Sequence, residues 1–175
     1  NAGTQIIANN VKADILNFEL ILKLIRFHKI DIVIVGPEEP LVRGIVDFLI
    51  KNKVKVFGPN KFASKLEGSK SFVKNICKKN NIPTADFKVC RNKQDLKIFL
   101  KKSKFPVVAK ADGLAAGKGV TICNTKQQLF KVSEEIFKGK FQTSKKIVVE
   151  EFLSGEELSY FLIVDKDNFR FFGSA

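Results

Sequence analysis

The chain has 175 residues, of which 45% are hydrophobic, enough to bury one or two ordinary cores. No apolar run approaches the roughly 20 residues of a membrane span, and the opening NAGTQIIANN lacks the basic start and apolar middle of a secretory signal. Cys77, Cys90 and Cys123 form no CxxC motif, so we expect reduced thiols in a cytoplasmic protein rather than a disulfide framework or a zinc site.

The net charge of +13 raises the question of a nucleic-acid partner. The excess is nearly all lysine, spread along predicted helix faces without arginine or aromatic clusters, which is a poor pattern for reading a groove. We therefore expect no nucleic-acid partner, and note that a basic cleft also suits a phosphate ligand. The chain opens at Asn1 without Met and ends within FRFFGSA, which reads as a strand, so we expect missing sequence at both ends.

The first part of the chain alternates helices and strands. The predicted elements are a helix over Asp14–His28, a strand over Asp31–Val35, a helix over Leu41–Lys51 and a strand over Val54–Phe57. This order predicts a βαβ unit of an open parallel sheet. Ligands on such sheets bind beyond the carboxyl ends of strands, where the sequence places the loops Gly36–Pro40 and Gly58–Asn60.

A helical zone over Lys61–Asn80 follows, which Gly68 interrupts and in which Ser69 can cap the second helix. The sequence Asn81–Thr84 then marks a domain boundary. The later predicted elements are strand Asp86–Val89, helix Asp95–Lys102, strand Pro106–Lys110, strand Val120–Cys123, helix Lys126–Lys138, strand Lys146–Phe152, and a hairpin of Leu158–Val164 with Asn168–Phe172 around the turn Asp165–Asp167. This order predicts an α+β unit with adjacent antiparallel strands. We expect a first unit over 1–60, a helical connection over 61–82 and a second unit over 83–175.

A loop of small residues, Asp112–Gly119, lies between two of these strands. It is not a Walker A loop, because three residues rather than four separate Gly113 from Gly117, and Gly119 stands where Ser or Thr should follow Lys118. Its uncovered backbone N–H groups and Lys118 still suit phosphate oxygens, and the loop could close over a ligand. The alternative is a mobile hairpin tip.

Lys110 ends a strand whose neighbours look buried, so its ammonium needs a partner. An anionic ligand at the strand end is one answer, and a side chain that reaches solvent is the alternative.

The stretch IVVEEFLSGEE, residues 147–157, runs from an apolar strand into carboxylates. If the edge of this strand is open, its backbone can pair with an adenine, with Phe152 and Leu153 as apolar walls and a carboxylate beyond them for ribose hydroxyls. The alternative is a solvated acidic turn.

Together these stretches resemble the ATP-grasp family and, within it, the glycinamide ribonucleotide synthetases. The resemblance covers essentially the whole chain and rests on IVGPEEPLVRGIVDFL, VFGPN, LEGSKSFVKN, IPTADF, VVAKADGLAAGKGV and VVEEFLSGEELSYF, in the order and spacing of that family. It implies an α/β fold: a partial open parallel-sheet, Rossmann-like (pre-ATP-grasp) domain, then the α+β first half of an ATP-grasp domain. By the same resemblance, residues 1–60 correspond to a partial N-terminal substrate domain and residues 83–175 to an incomplete nucleotide-binding subdomain. It implies ATP-dependent ligation of glycine to 5-phosphoribosylamine through a glycyl phosphate, in purine synthesis, with Mg²⁺ or Mn²⁺ and no obligate protein partner.

The resemblance also implies roles for individual residues. Lys70 and Lys110 correspond to the nucleotide lysines, and Gly113, Gly117, Lys118 and Gly119 to the loop over the β- and γ-phosphates. The adenine hinge corresponds to Glu150, Glu151, Phe152 and Leu153, chiefly through backbone atoms. Glu157, or its neighbour Glu156, corresponds to the ribose contact. Gly36, Pro37, Glu38 and Leu41 correspond to part of the phosphoribosylamine site.

The family's glycine-rich first strand and its metal ligands have no counterpart in these 175 residues, so we expect no metal site and little activity from this stretch alone. Two alternatives stay open at this point. One is another ATP-grasp ligase, carboxylating or peptide-forming, which the GPEEPL and KADGLAAGKGV segments disfavour. The other is a basic, non-catalytic nucleotide- or nucleic-acid-binding module, which would show steep salt dependence.

Overall fold

The computed structural model describes residues 3–101, 103–115, 117–141, 145–165 and 167–175. After a 3-10 turn at Thr4–Ile6, its helices are α1 Phe18–Phe27, α2 Glu38–Arg43, α3 Ile45–Lys51, α4 Lys65–Gly68, α5 Lys70–Lys79, α6 Lys93–Leu100 and α7 Lys126–Phe137. Its strands are β1 Val33–Ile34, β2 Val56–Phe57, β3 Phe87–Cys90, β4 Val107–Ala111, β5 Val120–Cys123, β6 Ile147–Glu151, β7 Tyr160–Asp165 and β8 Asn168–Ser174. No helix in these ranges is long and apolar enough to cross a membrane.

The first unit is built on a parallel pair of strands, β1 and β2, which confirms the predicted βαβ arrangement. Its core lies between α1 and α3, where Leu22, Val46 and Leu49 are buried. The prediction that α1 begins at Asp14 is wrong. The Asp14 carboxylate accepts a hydrogen bond from the N–H of Leu16, and Asn17 caps the helix instead by accepting from the N–H of Leu20.

The single helix predicted over residues 41–51 is two helices, and the predicted Gly36–Pro40 loop is correspondingly shorter. Gly44 has φ +97°, a left-handed conformation that ends α2, and its N–H donates to the carbonyls of Pro40 and Leu41. Glu38 and Pro40 belong to α2, because proline is tolerated in the first turn of a helix.

The helical zone that follows agrees with its prediction. Gly68 ends α4, and the Ser69 side chain accepts from the N–H of Phe72 to cap α5. Gly68 also packs closely on α2, because a Cβ at Gly68 would lie 2.7 Å from a Val42 methyl carbon. This contact fixes the start of α5 relative to the first unit.

The second unit contains a four-stranded antiparallel sheet in the order β3-β6-β4-β5. One face of this sheet packs against α6 and α7, with Leu96, Leu129, Ala109 and Val149 fully buried between them. The fold class predicted from the sequence is confirmed by this combination of a parallel pair with an antiparallel α+β unit.

Two further predicted boundaries moved. The helix expected over Asp95–Lys102 begins at Lys93, because the Asn92 side chain accepts from the N–H groups of Gln94 and Asp95; Lys102 lies outside the described residues. The predicted hairpin is present as β7 and β8. β7 begins two residues later and ends one residue later than predicted, and β8 begins at the predicted residue but ends two residues later. Lys166 of its predicted turn is also outside the described residues.

Candidate functional site

Strand alternation gives the four-stranded sheet two different faces. In β4, Val107, Ala109 and Ala111 point into the core, which leaves Lys110 on the opposite face. In β6, Val149 points into the core and Glu150 points the other way. The second face therefore carries charged side chains, and it meets the start of α5 and the glycine-rich loop.

Three charged residues meet on this second face, and we call them the lysine–glutamate cluster. Glu150 Oε2 is 2.9 Å from Lys110 Nζ and 3.0 Å from Lys74 Nζ. The Glu150 side chain is 5% exposed, Lys74 11% and Lys110 28%. Antiparallel pairing of Val108 with Glu150 puts Lys110 diagonally beside that carboxylate. The protein partner of Lys110 is thus a neighbouring carboxylate, a possibility that the sequence did not suggest.

Lys74 is the first of two residues of the candidate site that sequence reasoning missed. It lies on α5 one helical turn after Lys70, so the two lysines share a helix face. The spacing of four residues between Lys70 and Lys74 is the signal in the sequence that could have identified Lys74. Its ammonium also donates to Thr84 Oγ1 at 2.7 Å and to the Ala85 carbonyl at 3.4 Å.

A second missed residue, Asp112, fastens the glycine-rich loop to the start of α5. Its carboxylate, in a residue only 3% exposed, accepts hydrogen bonds from the Ser71 N–H at 3.0 Å, the Ser71 hydroxyl at 2.7 Å and the Ser69 hydroxyl at 3.1 Å. Lys70 Nζ strengthens the same junction by donating to the Gly113 carbonyl at 3.0 Å. The predicted lysine and the predicted loop are therefore joined directly.

The loop itself needs glycine at several positions. Gly113 and Gly117 have φ of +100° and +74°, which L side chains rarely adopt. Gly119 is needed for space, since a Cβ there would lie 2.5 Å from the Ala115 Cβ. The Lys118 N–H donates to the Ala115 carbonyl, and the Lys118 side chain is exposed. Ala116, in the middle of the predicted loop, lies outside the described residues.

Two adjoining clefts, each of about 340 Å³, open beside the loop and the cluster. Both are lined by Lys70, Glu67 and Val120. The loop-side cleft adds Gly113, Gly117 and Gly119 with Glu38 and Glu39, and the cluster-side cleft adds Lys74, Lys110 and Glu150. The structure thus brings most of the predicted nucleotide residues together, with Glu38 of the predicted substrate segment beside them. Leu41 instead packs against the core of the first unit.

The predicted adenine strand is not a free edge. β6 lies between β3 and β4, so its backbone is paired on both sides, and the condition of an open edge is not met at 147–151. Glu151 is tied to Asp86: its N–H donates to the Asp86 carbonyl and its side chain accepts from the Asp86 N–H, each at 2.9 Å. Glu151 lines a different pocket, with Ile98 and Phe99.

Free backbone begins immediately after β6. Phe152 and Leu153 are 41% and 63% exposed, and no backbone hydrogen bond involves residues 152–158 in the described part of the chain. Glu156 and Glu157 are exposed and do not line either cleft. Among the described residues, no group of three or more His, Cys, Asp or Glu side chains is arranged to hold a metal ion.

The buried thiols lie behind this site, in the core of the second unit. Burial raises the pKa of the Cys90 thiol to about 11, with the nearby Asp95 carboxylate adding to the effect. Burial also raises the pKa of the Cys123 thiol. All three cysteines are free, and Cys77 is the partly exposed one.

A glycine-rich loop between antiparallel strands, with lysines from β4 and α5 facing one cleft, matches the first half of an ATP-grasp fold. The Campylobacter jejuni biotin carboxylase structure shares this fold, with a TM-score of 0.74 at 19% identity over 91% of this chain and 37% of that one. A family model described as phosphoribosylglycinamide synthetase, ATP-grasp (A) domain, matches residues 68–175, and the N domain of the same family matches residues 1–67. The chain belongs to the phosphoribosylglycinamide synthetase family.

Individual relatives agree with this assignment. The chain is 42% identical along its whole length to a phosphoribosylamine–glycine ligase of Mesorhizobium japonicum, and 44% identical over 94% of its length to one of Clostridium acetobutylicum. The crystal structure of the Thermotoga maritima phosphoribosylamine–glycine ligase superposes with a TM-score of 0.77 at 38% identity, covering 98% of this chain. The chain spans 41%, 40% and 41% of the length of these three proteins.

Proposed function

We propose that the full-length protein is an ATP-dependent carboxylate–amine ligase that joins glycine to 5-phosphoribosylamine in purine synthesis. The observation that carries the proposal is the pair of adjoining clefts, with Lys70 in both, Lys110 in one and the glycine-rich loop in the other, in a chain matched from end to end by the two domains of one synthetase family. The names of the relatives supply the two substrates besides ATP.

The proposed chemistry answers a simple difficulty: a carboxylate is a poor electrophile. The glycine carboxylate attacks the γ-phosphorus of ATP, and the bond to the β-phosphate oxygen breaks to release ADP. The amine of phosphoribosylamine then attacks the carbonyl carbon of the glycyl phosphate. A proton leaves the nitrogen, inorganic phosphate departs and an amide remains. Catalysis of this kind rests mainly on positioning and on offsetting phosphate charge.

In this proposal, Lys70 and Lys110, which both line the cluster-side cleft, offset the charge of the triphosphate. Lys70 lies at the loop and Lys110 on the sheet face, so the phosphates would run between them. The backbone N–H groups of Gly113, Gly117 and Gly119, which have no side chains to cover them, approach the β- and γ-phosphates, and the Lys118 side chain adds a further positive charge. Closure of this loop would exclude water from the glycyl phosphate.

We assign adenine to the end of β6. Glu150 and Glu151 are held in the sheet, so the polar contacts fall to the unpaired backbone of Phe152 and Leu153, whose side chains supply apolar walls. Glu157 contacts the ribose, with Glu156 as the alternative.

We assign phosphoribosylamine to the segment of Gly36, Pro37, Glu38 and Leu41, of which Glu38 lies in the loop-side cleft. Mg²⁺ or Mn²⁺ supplies further positive charge at the phosphates when bound, and we assign no described residue to it. The three free cysteines favour a cytoplasmic setting, and the proposal requires neither a protein partner nor nucleic acid.

The test is a ligase assay of the full-length protein with ATP, glycine and phosphoribosylamine generated in place, following both ADP and the glycinamide product. We expect turnover only when all three are present. ADP release that continues when glycine is omitted, or that needs bicarbonate or D-alanine instead, would identify another ATP-grasp ligase. No turnover by the well-folded protein would refute the proposal.

A further inference from the structure

The lysine–glutamate cluster holds one carboxylate between two lysines, and both ammonium groups meet the same oxygen. Glu150 Oε2 lies 2.9 Å from Lys110 Nζ and 3.0 Å from Lys74 Nζ. The formal charge of the three groups is therefore +1. All three residues line the cluster-side cleft, but Lys110 is the most exposed of them, whereas Glu150 and Lys74 are nearly closed off from water.

Lys74 is fixed from several sides. It comes from α5, reaches Thr84 and the Ala85 carbonyl in the connection before β3, and lies 5.7 Å from the centre of the Phe87 ring. A buried ion pair is weak evidence for stability, because an apolar side chain of similar size often stabilises a fold equally well. The placement of Lys74 therefore calls for a role in addition to holding the fold.

We propose that Lys74 is a positioning residue for the nucleotide: it balances the charge of Glu150 so that Lys110 presents a surplus positive charge to the cleft. This inference rests on the proposed function, because it assigns the cleft to a nucleotide. It gives Lys74 no contact with the nucleotide, in contrast to Lys70 and Lys110.

The consequence is a specific pattern of effects. Without Lys74, the pair of Lys110 and Glu150 is formally neutral, and the carboxylate draws the Lys110 ammonium toward the sheet. Phosphate binding then weakens. Neutralising Glu150 in the same protein restores a net charge of +1, so a second substitution should repair the damage of the first. A lysine that only supports the fold predicts no such repair.

The experiment compares Lys74→Met with the double variant Lys74→Met/Glu150→Gln in the full-length protein. The matched control is Lys78→Met, which removes an exposed lysine one turn further along the same helix. The measurements are KM for ATP, KM for glycine, kcat, the Kd of ADP by calorimetry, and the melting temperature. ADP is the direct probe, because its binding is measured whether or not ligation occurs.

We expect Lys74→Met to raise KM for ATP and the Kd of ADP by about tenfold or more. An effect of this size is expected when one unit charge is lost close to a charged ligand. KM for glycine should change less than about twofold. The double variant should recover at least about threefold of the lost ADP affinity, and Lys78→Met should match the unaltered protein.

Unchanged ADP affinity with a lowered melting temperature would overturn the inference and leave Lys74 a structural residue. A double variant no better than Lys74→Met would overturn the charge-balance argument. Where Lys74→Met yields too little folded protein, the single variant Glu150→Gln tests the proposal instead. Its loss of the negative charge increases the surplus positive charge at the cleft, so ADP should bind at least as tightly, and weaker ADP binding would contradict the proposal. An unaltered protein that binds ADP without ligating glycine would refute the proposed reaction but not this inference.

Discussion

Removal of the Asp112 carboxylate should free the glycine-rich loop from helix α5. The carboxylate accepts three hydrogen bonds from Ser69 and Ser71 in a site that is 3% exposed. In Asp112→Ala, the N–H and hydroxyl of Ser71 lose these partners while the surrounding packing still limits access of water. We therefore expect a large effect on stability and on the position of the loop.

The magnitude follows from the contacts. A hydrogen bond to a charged group contributes about 1.5–3 kcal/mol, but the three bonds share one carboxylate and do not add in full. Loss of one partner from a buried ionic site costs about 3–5 kcal/mol, and this range sets the upper limit for the combined loss of the three hydrogen bonds. We expect Asp112→Ala to lower the free energy of unfolding by about 3–4 kcal/mol. Asp112→Asn, which keeps one acceptor oxygen and the shape, should lower it by about 1–2 kcal/mol.

Lys146 provides the matched control. Its ammonium is 4.0 Å from Asp112 and its side chain is 46% exposed, so Lys146→Ala should change stability by less than about 1 kcal/mol. The assay is urea unfolding of the full-length protein, combined with limited proteolysis across residues 112–119. We expect Asp112→Ala to unfold earlier and to be cut in the loop. An unfolding free energy within about 1 kcal/mol of the unaltered protein, with an uncut loop, would refute this reasoning.

The other predictions concern the cleft and the thiols. Lys110→Ala should raise KM for ATP at least about tenfold with little change in melting temperature, because the other lysine of the cluster still balances the carboxylate; unchanged KM would remove its nucleotide role. Gly117→Val should raise KM for ATP, since φ of +74° strains a β-branched residue by about 1–3 kcal/mol, and a normal KM would count against loop closure. In the folded protein at pH 7.5, maleimide should label Cys77 but not Cys90 or Cys123, as peptide mass mapping would reveal. Because the folded pKa of Cys90 is raised from 9.0 to about 11, the stabilisation from its neutral thiol is complete below pH 9 and should be lost as pH rises toward 11, which urea unfolding across that range would check.

Local signals in the sequence located several elements correctly. The apolar run Val120–Cys123 is a strand with the predicted bounds, and Ser69 caps α5 as expected from its position after Gly68. These features depend on residues that are neighbours in sequence. Where two local signals competed, the prediction failed: Asp14 and Asn17 are both good caps, and only packing of the following apolar face selects Asn17.

The division of the predicted helix over residues 41–51 has a similar cause. The apolar periodicity continues through Gly44, so pattern alone favours one helix. The break follows from tertiary packing. The Lys61 side chain packs so closely on residue 44 that a Cβ there would lie only 3.1 Å from the Lys61 Cδ. Gly44 is the residue that permits both the close approach and the left-handed turn.

The position of β6 depends on long-range pairing, which a single sequence does not reveal. The run of Ile147–Glu151 reads equally well as an edge strand or a central one, and only its pairing with both β3 and β4 makes it central. That pairing moves the proposed adenine contacts from the strand to the free backbone at Phe152 and Leu153. The proposal of backbone contacts to adenine is therefore kept, but the backbone atoms assigned to them are those of Phe152 and Leu153.

The lysine–glutamate cluster depends on the pairing register of β4 with β6. Glu150 meets Lys110 because Val108 pairs with Glu150 in antiparallel register, so that both charged side chains stand on one face of the sheet. A slip of one residue would turn Glu150 toward the core between the sheet and α7 and would expose Val149 in its place. A buried, unpaired carboxylate in that core would cost several kcal/mol, so the need to keep Glu150 out of the core favours the ionic arrangement on the other face. The exclusion of an unpaired carboxylate from the core thus specifies the position of charges whose pairing the sequence alone does not display.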